Sequence, residues 1–172
     1  MCAAASVTGS ATSEALTGDG GRDVIHGNGG NDVIRGEAGY DSLNGGEGDD
    51  VIDGGAGNDT IDGGAGFDRA VFAGARSLYT ISTVNGVTTV SGPEGVDTLT
   101  GVERLVFLDG PFGLDGLPYL NPVNGTAAAD VLSGSSEGDR ILAGEGADII
   151  TGGGGNDTID GGAGIDTAVF SG

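Results

Sequence analysis

Gly45-Gly46-Glu47-Gly48-Asp49-Asp50-Val51-Ile52-Asp53 runs directly into Gly54-Gly55-Ala56-Gly57-Asn58-Asp59-Thr60-Ile61-Asp62. The two nine-residue units stand in register, with glycine at positions 1, 2 and 4, aspartate at 6 and isoleucine at 8. A fixed short period is the signature of a repeat architecture and is read before any local propensity. Extended outward, it gives a first block of units starting at Gly9, Gly18, Gly27, Gly36, Gly45, Gly54 and Gly63. A second block starts at Gly125, Gly134, Ala143, Gly152 and Gly161. Position 6 is aspartate in every unit but the first, which carries Glu14. Position 8 is apolar throughout, although the whole chain is only 37% hydrophobic. Both blocks close alike, at Asp68-Arg69-Ala70-Val71-Phe72 and Asp166-Thr167-Ala168-Val169-Phe170.

The chain has 172 residues, 39 glycines, no lysine and a formal net charge of −20. Such acidity argues against nucleic acid or an anionic membrane as partner and favours bound cations. Acidity with few aromatics also fits disorder, but the regular placement of the carboxylates argues against that. Cys2, the sole cysteine, excludes an internal disulfide and reads as part of a frayed tail. Met1–Ser6 lacks the basic start and apolar run of a secretory signal. No apolar stretch approaches the roughly 18 residues of a membrane span, so the chain reads as soluble.

Each nonamer divides into a turn and a short strand. The glycines permit left-handed backbone in the turn, and Asn or Asp at position 5 (Asn31, Asp49, Asn58, Asn156) also tolerates it. Three residues such as Val51-Ile52-Asp53 form a strand with its central side chain on one face. Two units complete a coil of eighteen residues, which stacks Asp23 on Asp41, Asp32 on Asp50, Asp41 on Asp59 and Asp50 on Asp68. In the second block it stacks Asp130 on Asp148, Asp139 on Asp157 and Asp148 on Asp166. One buried aliphatic per nine ordered residues is too little to hold such a coil, and stacked carboxylates repel. Each pair, with carbonyls of the glycine turns, makes an all-oxygen cage that suits Ca²⁺ better than the tighter, more hydrated Mg²⁺. Complete pairs give about seven sites.

At these residues the chain resembles the RTX calcium-binding repeat, the G-G-x-G-x-D-x-U-x nonapeptide of parallel β-rolls. Units 45–53, 54–62 and 152–160 match at every defined position. The resemblance implies an all-β, calcium-filled parallel β-roll. Its metal ligands would be Asp23, Asp32, Asp41, Asp50, Asp59, Asp68, Asp139, Asp148, Asp157 and Asp166, with Asp130 weaker. Backbone carbonyls would join them near Gly27, Gly29, Gly36, Gly39, Gly45, Gly46, Gly48, Gly54, Gly55, Gly57, Gly63, Gly64 and Gly66. In the second block these lie near Gly144, Gly146, Gly152, Gly153, Gly155, Gly161, Gly162 and Gly164. Glu14 with Gly9 alone in its turn departs from the pattern, as do Ser135, Ser136 and Glu137 in the turn before Asp139.

Between the blocks, Tyr79–Val84, Asn85-Gly86 and Val87–Ser91 read as a β-hairpin on a type I′ turn. Gly92–Thr100 repeats the nonamer skeleton in degraded form, and Leu105–Leu108 is a short apolar strand. Residues 95–107 look like the β region that often follows such repeats in the family. Pro111, Pro118 and Pro122 break the connection onward. The expected organisation is therefore a tail (1–8), a first roll (9–71), a β cap and linker (72–124) and a second roll (125–172) cut short where its own cap would begin.

Catalytic signals are weak. Gly134-Ser135-Ser136-Glu137-Gly138 matches the G-x-S-x-G elbow, but it lies inside a nonamer and the sole histidine, His26, is in the other block. His26 at position 9 reads as an exposed strand end. The expectation is a non-enzymatic, calcium-binding module. The resemblance implies export by a type I system, an extracellular location, and partners such as a larger parent polypeptide or a cell-surface polysaccharide. Two alternatives are a non-catalytic fragment of a secreted protease, lipase or alginate epimerase, and part of a repeat adhesin or surface-layer protein.

Overall fold

The structure is a computed structural model that describes residues 4–114 and 120–169. Cys2, Pro118 and Phe170 lie outside the described residues. The chain divides into two compact units, Met1–Leu117 and Pro118–Gly172.

In the first unit the nonamers wind into a parallel β-solenoid with two strand faces. On one face Ser6–Thr8, Val24–Gly29, Ser42–Glu47 and Thr60–Ala65 pair in parallel. On the other, Ala15–Thr17, Val33–Arg35, Val51–Asp53 and Arg69–Val71 do the same. The register advances by eighteen residues per rung: Ile25 lies opposite Leu43 and Leu43 opposite Ile61, while Ile34 lies opposite Ile52 and Ile52 opposite Ala70. Because side chains alternate along a strand, the position-8 residue of every unit points inward. Ile25, Ile34, Leu43, Ile52, Ile61 and Ala70 are all buried and form the core.

The roll starts earlier than the repeat pattern does. Ser6–Thr8, expected in the tail, pairs with Val24–His26 and packs Val7 against the core. At the other end the solenoid passes into the cap without a break in pairing. Gly95–Thr100 continues one face in parallel on Thr60–Asp62, and Arg104–Phe107 continues the other on Arg69–Val71. The hairpin of Thr80–Val84 and Val87–Gly92 then adds antiparallel to Gly95–Thr100. Asn85 (φ 52°) and Gly86 (φ 79°) supply the two positive angles of its tight turn. Phe72, Tyr79, Phe107 and Phe112 close the end of the core, with ring centroids 5.0–5.7 Å apart.

The second unit repeats the design. Asn121–Asn124, Asp139–Leu142 and Thr158–Asp160 form one face; Val131–Ser133, Ile149–Thr151 and Thr167–Val169 form the other. Asn121–Asn124, expected in the linker, is thus the first strand of this roll, and Pro122 sits on the outer strand of its sheet, where no ladder amide is required. Ile141, Ala143 and Ile150 are its buried core.

Candidate metal centre

The stacked aspartates occupy the turns and are enclosed rather than solvated. Asp23, Asp32, Asp41, Asp50, Asp59, Asp68, Asp139 and Asp148 are each no more than 2% exposed. Asp130, Asp157 and Asp166, nearer the ends of the second roll, are half-buried. One contact recurs along the stack: Oδ1 of each aspartate accepts the backbone N–H of the aspartate one coil earlier. Asp23 donates to Asp41 (2.7 Å), Asp32 to Asp50 (2.7 Å), Asp41 to Asp59 (2.9 Å) and Asp50 to Asp68 (2.8 Å). Asp130 donates to Asp148, Asp139 to Asp157 and Asp148 to Asp166 in the same way. All seven expected pairs are therefore brought together, and half of each carboxylate is used to clamp one coil to the next.

The other carboxylate oxygen behaves differently from turn to turn. Oδ2 of Asp32, Asp41, Asp50, Asp59, Asp68 and Asp148 is buried without a hydrogen-bond partner. In those turns position 2 is Asn28, Glu37, Gly46, Gly55, Gly64 or Gly144, and every one of these has positive φ, from 75° to 112°. Where position 2 lacks positive φ, its N–H turns inward and takes the oxygen. Asp19 donates to Asp23 Oδ2 (2.7 Å), Thr126 to Asp130 Oδ2 (2.7 Å) and Ser135 to Asp139 Oδ2 (2.7 Å). Ser10 does the same for Glu14 (2.6 Å). The backbone angle at position 2 thus decides whether a turn presents a bare oxygen or a satisfied one.

Position 1 shows why glycine is needed beside that oxygen. None of the first-position glycines from Gly18 to Gly63 has positive φ, so the expectation of left-handed backbone there is corrected. A β-carbon on Gly36 would stand 2.6 Å from Asp41 Oδ2 and 2.5 Å from the Gly54 carbonyl oxygen. The same convergence recurs at Gly27 (Asp32 Oδ2 and the Gly45 carbonyl), Gly45 (Asp50 Oδ2 and the Gly63 carbonyl) and Gly63 (Asp68 Oδ2 and the Gly101 carbonyl). Gly54, Gly152 and Gly161 face the Oδ2 of Asp59, Asp157 and Asp166. A side chain at these glycines would fill the space into which the oxygens point; Ala143, in the turn of Asp148, is the one position-1 residue of the repeats that carries a β-carbon. Positions 2 and 4 of fully matching turns do carry the left-handed angles, and there the carbonyls of Gly39, Gly46, Gly48, Gly144 and Gly146 lie against the turn glycines one coil on.

Position 5 is a second correction. Among Asn31, Asp49, Asn58 and Asn156 none has positive φ. The Asp49 amide donates to Asn31 Oδ1, Phe67 to Asp49 Oδ1 and Val96 to Asn58 Oδ1. These side chains are inter-coil ties on the outer edge of the turns.

Burial without counter-charge holds several of the first roll's carboxyls above their usual range. Desolvation is the largest cause, opposed by the clamping backbone N–H and reinforced by neighbouring carboxylates; Asp41 and Asp50 are raised in this way. Asp59 and Asp68 are pushed up to about 6 and Asp97 to about 7. Asp97 is a residue the repeat count left out: it is 4% exposed and its Oδ1 accepts the Asp59 amide (2.9 Å). Glu103 likewise accepts the Asp68 amide (2.8 Å). The degraded nonamer Gly92–Thr100 carried the signal for Asp97. Glu103 follows a shortened turn, and spacing alone did not reveal it.

Among the described residues no three His, Cys, Asp or Glu side chains gather into a metal cluster. The donors are instead a bare carboxylate oxygen and backbone carbonyls, repeated coil after coil. An array of hard, anionic oxygens around small spaces with no hydrogen-bond donor left to fill them is the donor set of a class of cation-binding solenoids.

Comparison with known proteins supplies the family. The model of the RTX calcium-binding nonapeptide repeat (4 copies) matches residues 8–43, 41–70 and 133–168, more than half of the chain. The protein belongs to the RTX calcium-binding nonapeptide repeat family, and calcium is the cation its repeats are built for. Among solved structures, the extracellular lipase LipA from Serratia marcescens is similar over 98% of this chain, at 17% identity and a TM-score of 0.36. The chain spans 29% of that lipase's length. No curated protein sequence matches it.

Proposed function

We propose that this chain is a calcium-folded structural module of an extracellular protein, with no catalytic role of its own. The observation that carries the reading is the set of six buried aspartate oxygens without partners, five in the first roll and one in the second. Buried unpaired carboxylate is costly unless a cation is present. Asp23, Asp32, Asp41, Asp50, Asp59, Asp68, Asp130, Asp139, Asp148, Asp157 and Asp166 are the proposed side-chain ligands, with carbonyls of the position-1 glycines one coil on. Bound calcium would supply divalent charge that neutralises stacked carboxylates and accepts oxygens in flexible number.

The residues do the rest. In the stacked pairs Oδ1 of the later aspartate holds the preceding coil by its backbone N–H, while Oδ2 of Asp32, Asp41, Asp50, Asp59, Asp68 and Asp148 stays free because position 2 turns its own N–H away. Without the cation the same carboxylates repel along the stack, and the chain stays expanded where calcium is scarce. Outside the cell, millimolar calcium favours the roll by mass action. The module then stabilises the polypeptide that carries it and, on this reading, follows type I export. Calorimetric titration of chelator-stripped protein with CaCl₂ tests this. We expect saturable heat, with the stacked repeat pairs alone accounting for about seven ions per chain, and none with MgCl₂ at equal concentration. Absence of calcium heat would overturn the reading.

A further inference from the structure

The first roll's two stacks of aspartates do not end with the last matching nonamer. Asp59 and Asp68 belong to the final coil of repeats, yet each is covered by a carboxylate from the cap. Asp97 accepts the Asp59 amide and Glu103 accepts the Asp68 amide, the same clamp that joins every repeat pair. The chain separations are 38 and 35 residues instead of 18, because the β-hairpin is inserted before Gly95–Thr100 returns to the stack.

We propose that two further calcium sites lie at this junction, one between Asp59 and Asp97 and one between Asp68 and Glu103, and that they lock the cap onto the roll. The inference rests on the calcium reading above. Asp59 and Asp68 are 2% and 0% exposed, and the Oδ2 of each has no hydrogen-bond partner. Both follow a position-2 glycine with positive φ, Gly55 and Gly64, so no N–H of the turn reaches that oxygen. Over Gly63 the repeat geometry is retained: Asp68 Oδ2 and the Gly101 carbonyl point into the space a β-carbon would occupy.

The two sites differ in build. Asp97 stands on the Gly95–Thr100 strand, opposite Val90, just after the tight Pro93-Glu94 turn that pairs Gly92 with Gly95, and Gly95 still approaches the Gly57 carbonyl as repeat glycines do. Close by, the Glu94 carboxylate is held by the Tyr79 hydroxyl (2.7 Å) and the Ala73 amide (3.2 Å). The turn Gly101-Val102-Glu103 is three residues shorter, and a glutamate carboxylate in place of an aspartate's accepts the Asp68 amide.

The consequence is that cap and roll share ions, so the cap docks when the last coil is loaded. Radioactive-calcium equilibrium dialysis on the full chain and on D97N and E103Q tests it. Both substitutions keep a side-chain oxygen for the Asp59 and Asp68 amides and remove only the charge. Each single variant is expected to bind one ion fewer than the parent, and the double variant two fewer. If D97N shows no β spectrum in saturating calcium, E103Q decides by the same count, since Glu103 lies on the surface. Unchanged counts in folded variants would overturn the junction sites and leave the repeat sites standing. A parent chain that binds no calcium would overturn both.

Discussion

Asp50 shows at the level of one side chain what the repeat asks of its aspartate. Its Oδ1 accepts the Asp32 amide, and its Oδ2 lies buried and bare near the Gly63 carbonyl. D50N keeps the first contact and replaces the bare oxygen by a donor facing a carbonyl. The ion-free chain should therefore gain on the order of 1 kcal/mol, while bound calcium falls by one to two ions, because Asp50 faces two coils. Far-UV spectra in chelator and denaturation curves in calcium check the opposite signs for D50N: more residual β structure without calcium and lower stability with it; a loss in both would contradict them. Asp19 makes the converse case. Its N–H satisfies Asp23 Oδ2, so D19G, which lets position 2 take positive φ, should free that oxygen. Tighter calcium binding is the expected outcome by titration calorimetry, and unchanged affinity would contradict it.

Among the elements, the strands are held by their position-8 side chains and the cap by its rings. Phe107 is 3% exposed and stacks on Phe72 (5.2 Å) beside Tyr79 (5.0 Å). F107A should cost about 3–5 kcal/mol, seen as a lowered melting temperature in saturating calcium; an unchanged melting temperature would show that the cap does not contribute to the cooperative unit. The strands, their eighteen-residue register and the Asn85-Gly86 hairpin were legible in the sequence because each depends on local pattern: alternation, period and a turn pair with positive φ. The stacking of Asp23 through Asp166 followed from the period as well. What the sequence did not disclose depends on contacts across coils. Gly45 and Gly63 are glycine because of an approaching carboxylate, not because of their own φ. Asn31 and Asp49 are inter-coil ties, and Glu103 enters the stack only after an intervening hairpin has been folded. Ser6–Thr8 and Asn121–Asn124 carry no nonamer pattern and became strands because the first coil of each roll offered them an open edge.

For the molecule as a whole, charge sets the conditions of folding. The raised carboxyls, about 6 at Asp59 and Asp68 and about 7 at Asp97 against an ordinary 3.8, mean that the ion-free fold holds more protons than the unfolded chain between those limits. Its stability is expected to fall as pH rises through that window and to change little from this source above it or below it. Far-UV circular dichroism in chelator from pH 8 down to pH 4 checks this: β signal should grow as pH falls, and β signal that grows with rising pH would contradict it. Calcium binding should show the reverse trend, since the sites need their carboxylates deprotonated.

On the proposed reading, cations hold the rolls together more than the thin apolar core does. Far-UV circular dichroism of chelator-treated protein, titrated with CaCl₂ and in parallel with MgCl₂, tests it most directly. The expected result is a coil-like spectrum that converts cooperatively to β structure with calcium and not with magnesium at equal concentration. A full β spectrum in excess chelator, unchanged when calcium is added, would contradict it.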